Sequence, residues 1–212
     1  MFKGSLKADS LFKRVLAIGA HPDDIELGCF GTLLRFQRSG SKIALCVLSH
    51  GECGVNPTNR CAEARASAKL VQGDLTLAGL PDTQILEGQP TIRVIEEVIE
   101  GFEPSAVFVN SPNDTHQDHR NVSRAAVSAA RLVPSLFLYQ TPSSTRTFTP
   151  QVFVDISSVI KDKVHAITIH KSQAKHSYMA DRAVKGLAEF LGLQIYRGGK
   201  YFEGFEVHQI VL

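Results

Sequence analysis

Short apolar runs alternate along the chain with longer stretches whose apolar residues recur at helical spacing. The segments 14–21 (RVLAIGAH), 41–51 (SKIALCVLSHG), 74–82 (DLTLAGLPD) and 105–112 (SAVFVNSP) predict strands. Between and after them, 25–40, 59–73, 90–104 and 118–133 predict helices. Gly40 and Gly73 are the expected stops of the first two, and the third has Pro90 near its start and Gly101 near its end. Strand and helix in turn are the pattern of a parallel sheet wrapped by helices. Beyond residue 133 the alternation changes. Segments 135–141 and 151–157 predict strands, divided by the turn-rich PSSTRTFTP; 158–173 and 176–192 predict helices, and 204–212 a closing strand. The expected fold is α/β: one Rossmann-like domain over 1–212, with a mostly parallel sheet, helices on both faces and the active site at the strand carboxyl ends.

Composition narrows the function classes. The chain has 212 residues, 43% hydrophobic and 21% charged, with a net charge of +2. No block of Lys and Arg marks a nucleic-acid or polybasic membrane surface, so no nucleic-acid partner is expected. No apolar run approaches the roughly 20 residues of a membrane span. The polar start MFKGSLKADSLFKR lacks the apolar core of a signal peptide, so a cytoplasmic location is expected. Cys29, Cys46, Cys53 and Cys61 form no C-x-x-C pair and read as reduced thiols.

Two polar clusters stand at predicted strand ends. The first is AHPDDIELG, residues 20–28, with His21, Asp23, Asp24 and Glu26. The dinucleotide fingerprint G-x-G-x-x-G is absent, and paired carboxylates would repel a pyrophosphate. His21 and Asp24 can converge on a metal where the chain turns at Pro22. That would leave Asp23 beside the metal as a base toward water. The alternative is that the acids only favour the positive end of the next helix. The second cluster, NDTHQDHR at 113–120, adds His116, Asp118 and His119. The two clusters together can supply an open three-ligand zinc site of His, Asp and His.

The stretches AHPDDIELGCFGTL and HQDHRNV closely resemble the LmbE-like, zinc-dependent N-acetylglucosaminyl deacetylases, which include N-acetylglucosaminyl-phosphatidylinositol de-N-acetylase. A weaker likeness runs through GECG, NRCAEARASA, HKSQ and YFEGF. The resemblance implies His21, Asp24 and His119 as ligands of Zn2+, Asp23 as general base, and His116 as a charged or acidic group with Asp118 as its partner. It implies hydrolysis of the N-acetyl group of an N-acetylglucosamine-type sugar or glycoconjugate, and by analogy a homo-oligomer. Arg60 and Glu63 resemble a family Arg-x-x-Glu pair; Arg60 is a candidate for binding a substrate oxygen, and Tyr201 for a hydrogen bond to substrate. Phe30 departs from the Gly frequent in the family and is expected to narrow the pocket. The rival classes are a metal-dependent hydrolase of another acyl bond, such as an ester, and a non-catalytic sugar-binding protein that retains zinc.

Overall fold

The computed structural model describes residues 12–54 and 57–211. Residues 1–11, which hold most of the polar start read above, lie outside it. Seven strands form one sheet in the order β3-β2-β1-β4-β5-β7-β6. They are β1 (Arg14–Gly19), β2 (Lys42–Ser49), β3 (Asp74–Leu80), β4 (Ala106–Asn110), β5 (Ser135–Tyr139), β6 (Val152–Asp155) and β7 (Phe202–Ile210). The first five are parallel; β7 runs antiparallel between β5 and β6. The α/β expectation, a mostly parallel sheet covered on both faces, describes this architecture.

Strand periodicity sends alternate side chains to opposite faces. Val15 and Ala17 of β1 join one core with Phe108, Phe137 and Phe205; Leu16 and Ile18 join a second with Val107, Val109 and Leu136. The first core is covered by α1 (Asp24–Gly28), α2 (Phe30–Arg38), α3 (Pro57–Leu70), α6 (Ile160–Ile169) and α7 (Asp181–Gln194). The second is covered by α4 (Gln89–Phe102) and α5 (Gln117–Ala129). Each fully buried Leu or Ile contributes about 1.5–3 kcal/mol.

The chain builds β1, β2 and β3 outward, then returns to place β4 on the other side of β1. The carboxyl ends of β1 and β4 are therefore neighbours at a topological switch point, where open α/β sheets bind ligands. Both polar clusters emerge there.

Local structure corrects several expected boundaries. The helix expected over 25–40 is two helices, broken at Cys29 (φ −139°, ψ 7°). The break is held by a buried pair. Glu203 accepts the Gly31 and Thr32 N–H groups at the start of α2, and Lys163 Nζ donates to Leu27 O at the end of α1. Lys163 and Glu203 lie 2.5 Å apart. Gly28 is required at this corner, because a Cβ there would stand 2.1 Å from the Tyr139 ring. Gly101 stands near the end of α4 as expected, and Glu103, just past the end, takes the left-handed conformation (φ 49°). After α3 that conformation falls to Gln72 (φ 50°), not Gly73.

Candidate active site and metal centre

At the end of β1 the chain turns back on itself through one carboxylate. Asp24 Oδ2 accepts the N–H groups of Ala20 and His21, each at 3.0 Å. Asp24 Oδ1 faces His119 Nε2 at 3.3 Å. Between them Asp23 is held at φ 113°, a conformation that L residues rarely adopt. Such strain, of order 1–3 kcal/mol, persists where the surroundings over-determine it. Arg60, on α3, supplies the clamp. Its Nη2 lies 3.1 Å from Asp23 Oδ1 and donates to Pro22 O at 2.6 Å, and its Nη1 donates to Gly51 O. Gly51 has φ 68°, and a Cβ there would meet Arg60 Nη1 at 2.3 Å, so both its backbone and its lack of a side chain are used. Glu63 does not pair with Arg60; it accepts from the Ser172 N–H and hydroxyl.

The second cluster closes the site from β4. Asp114, buried, accepts His116 N–H at 2.8 Å and the Thr141 hydroxyl at 2.7 Å, and lies 3.1 Å from His119 Nδ1. Asp118 does not partner the His116 ring with its carboxylate, a correction to expectation. Its side chain turns under β1, 3.1 Å from His21 Nε2, and accepts the Thr83 and Ile85 N–H groups. Only its backbone reaches His116, donating to Nδ1 at 3.2 Å. Asp82, at the end of β3, adds a second carboxylate 3.0 Å from His21 Nε2.

These contacts set the charges. Burial opposes the His21 imidazolium, but Asp118, Asp24 and Asp82 outweigh it and raise its pKa to about 12. Burial likewise opposes a charged His119, and Asp24 and Asp114 raise it to about 9. Asp24 sits well below the usual carboxylate range, because His119 and His21 overcome its desolvation. Burial pushes Asp23 up to about 7 despite Arg60. His116 moves the other way: burial, His21 and His119 lower its pKa. Its Nδ1 accepts the Asp118 backbone N–H, which leaves Nε2 as the ring atom free to donate.

The donor set fits a zinc ion. His21 Nε2 faces the Asp82 and Asp118 carboxylates, and His119 Nδ1 faces Asp114. Carboxylates on the outer nitrogens fix tautomer and orientation in zinc-bound His. The inner nitrogens, His21 Nδ1 and His119 Nε2, then face Asp24 at 3.7 and 3.3 Å. Among the described residues the donor groups whose atoms lie within 4.8 Å of one another are His21, His116 and His119, and His21, Asp82 and Asp118; Asp24 is in neither, and joins them through its contacts to His21 and His119.

A cavity of about 460 Å3 opens over this cluster, lined by His21, Asp23, Asp24, Arg60, His116 and His119, together with Tyr178 and the 141–143 turn. Two expected wall residues are not there. Tyr201 packs against the core, its N–H bonded to Ser157 Oγ, and Phe30 is fully buried in that core because it opens α2 on its inner face. Asp82 and Asp114 escaped the sequence argument, although Asp82 ends one predicted strand and Asp114 stands just past another, the signal that exposed the other residues.

The family model described as PIG-L, GlcNAc-PI de-N-acetylase, matches residues 16–130. The uncharacterized deacetylase YaiS of Escherichia coli (strain K12) is 36% identical, over 76% of this chain and 91% of its own. Diacetylchitobiose deacetylase of Thermococcus kodakarensis is 27% identical, over 76% of this chain and 70% of its own. The crystal structure of the conserved protein TT1542 from Thermus thermophilus superposes with a TM-score of 0.84 at 28% identity, covering 93% of this chain and 95% of that one.

Proposed function

Because the chain belongs to the GlcNAc-PI de-N-acetylase (PIG-L) family, we propose that it is a zinc-dependent deacetylase that hydrolyses the N-acetyl group of an N-acetylglucosamine-type sugar or glycoconjugate, releasing acetate and the free amine. The observation that carries this reading is Asp23. It is a buried, conformationally strained carboxylate with a pKa of about 7, beside the Asp24–His119 pair. A binding protein needs no such group, whereas a general base works best with a pKa near the operating pH.

His21, Asp24 and His119 would hold the zinc ion, which when bound supplies Lewis-acid polarisation of the amide carbonyl and acidifies water. Arg60 occupies Asp23 Oδ1 and leaves Oδ2 to take the proton of the attacking water. His116, fixed through Nδ1, presents its Nε2–H to the developing oxyanion as an oriented donor. Asp23, now a carboxylic acid, returns its proton to the leaving amine. Asp118 and Asp82 act on substrate only through His21, as positioning residues. Self-association of the chain is supported by the family analogy and by the exposed apolar residues Leu187, Phe190 and Leu193 along α7.

The test is acetate release from simple N-acetylated amino sugars by wild-type protein and by Asp23→Asn. The amide keeps the shape of the carboxylate but cannot accept the proton. Its rate should fall on the order of 10² to 10⁴ with metal content unchanged. Near-normal turnover in Asp23→Asn, or acetate released from O-acetyl esters alone, would sink the reading.

A further inference from the structure

A second cavity, of about 190 Å3, lies against the first. Leu27, Thr141, Pro142 and Tyr178 line both. Tyr178 stands at this junction on a short 3-10 turn, Ser177–Met179. The rest of the wall is dominated by apolar side chains: Val184, Leu187, Ala188 and Leu191 of α7, and Phe202 of β7. The charged pair in this wall is closed on itself. Lys163 Nζ is spent on Glu203 and Leu27 O, and Glu203 on Lys163 and the first N–H groups of α2. Neither offers a charge to a ligand, so the chamber selects an occupant by apolar contact. At ~30 Å3 for each water-sized volume, it has room for a chain of about six carbon atoms.

We propose that this cavity is an apolar chamber of the same active site, and that it takes a linear hydrocarbon chain carried by the substrate. The inference rests on the deacetylase reading, since the chain is a substituent of the sugar whose amide reacts in the larger cavity. Two attachments share this chemistry: an alkyl group on the anomeric oxygen, or an acyl group longer than acetyl on the nitrogen.

Calorimetry on zinc-loaded Asp23→Asn protein separates them and needs no turnover. One series is the methyl, butyl and hexyl glycosides of N-acetylglucosamine; the other is methyl glucosaminide bearing N-acetyl, N-butanoyl and N-hexanoyl groups. Affinity should climb on the order of threefold per added methylene in one series, which identifies the attachment. Two flat series would overturn the chamber. Ala183→Phe enters the cavity from a half-exposed position and Ala188→Phe from a buried one. Either should abolish the chain-length gain while binding the methyl glycoside of N-acetylglucosamine as before. A gain that survives in both folded variants places the chain elsewhere and also overturns the proposal. If neither variant folds, the two ligand series decide alone. Chain-dependent affinity in a protein whose wild type releases no acetate would support the chamber and sink the deacetylase reading.

Discussion

His21 and His119, the candidate ligands, carry protons that a bound metal would have to displace. In the metal-free protein their pKa values are about 12 and about 9, so both rings are charged at neutral pH. Zinc ligation needs the inner nitrogens free, and binding is therefore a competition with protons. Because both values are raised, affinity should increase as pH rises between about 6 and 8, with roughly two protons released per ion. Zinc titration in weakly buffered solution reads the release directly; a pH-independent affinity would contradict the ligand set. At this scale the sequence was partly legible. His21, Asp23 and Asp24 are consecutive enough to be seen as one cluster, and their backbone turn explains the spacing. Asp82 and Asp114 were not, because an acid after a strand means little until the sheet order brings it against a particular His. The direction of the Asp118 side chain was equally hidden: proximity in sequence to His116 put only its backbone there.

The α1–α2 break is an element-scale feature with a measurable cost. Lys163 and Glu203 are each about 4% exposed at the side chain. Removing one partner of such a pair leaves a buried charge and costs about 3–5 kcal/mol, whereas replacing both by apolar groups costs less. Glu203→Gln should accordingly lower Tm by roughly 6–20 °C. The double variant Lys163→Met, Glu203→Leu should lie closer to wild type than Glu203→Gln. Calorimetric melting of the three proteins checks this, and equal loss in both variants would mean that the capping of α2 matters more than the pair. Hydrophobic periodicity could not show the break, since 25–38 keeps helical spacing throughout. The information sits on β7, far along the chain.

Across the whole molecule, the candidate ligands come from both sides of the switch point: His21 and Asp24 from β1 and α1, His119 from α5 after β4. A metal there would tie together two segments that the backbone connects only through the β2–β3 excursion. Binding to the folded state alone stabilises by about 2.7 kcal/mol at ~100 Kd of free ion. Chelation should then lower Tm by roughly 5–10 °C. Differential scanning calorimetry with and without chelator tests it, and His119→Ala, lacking a ligand, should show no shift. Strands β1 to β4 were legible from alternation, because each is followed by a helix; β5, also parallel, is followed by β6 and carries no such mark. The placement of β7 was not, because antiparallel pairing with both β5 and β6 leaves no periodic mark in the sequence.

That placement also orders events on the ribosome. Among the described residues, β6 pairs with no strand except β7, and the helix carrying Asp24 is braced at its far end by Lys163, itself held by Glu203. A nascent chain that has emerged through α7 thus has β1 to β5 available to pair, yet β6 lacks its neighbour and the start of α2 its acceptor. The candidate active-site corner is encoded early and secured late, so synthesis stalled before residue 202 leaves a sheet edge at β5 open to other chains.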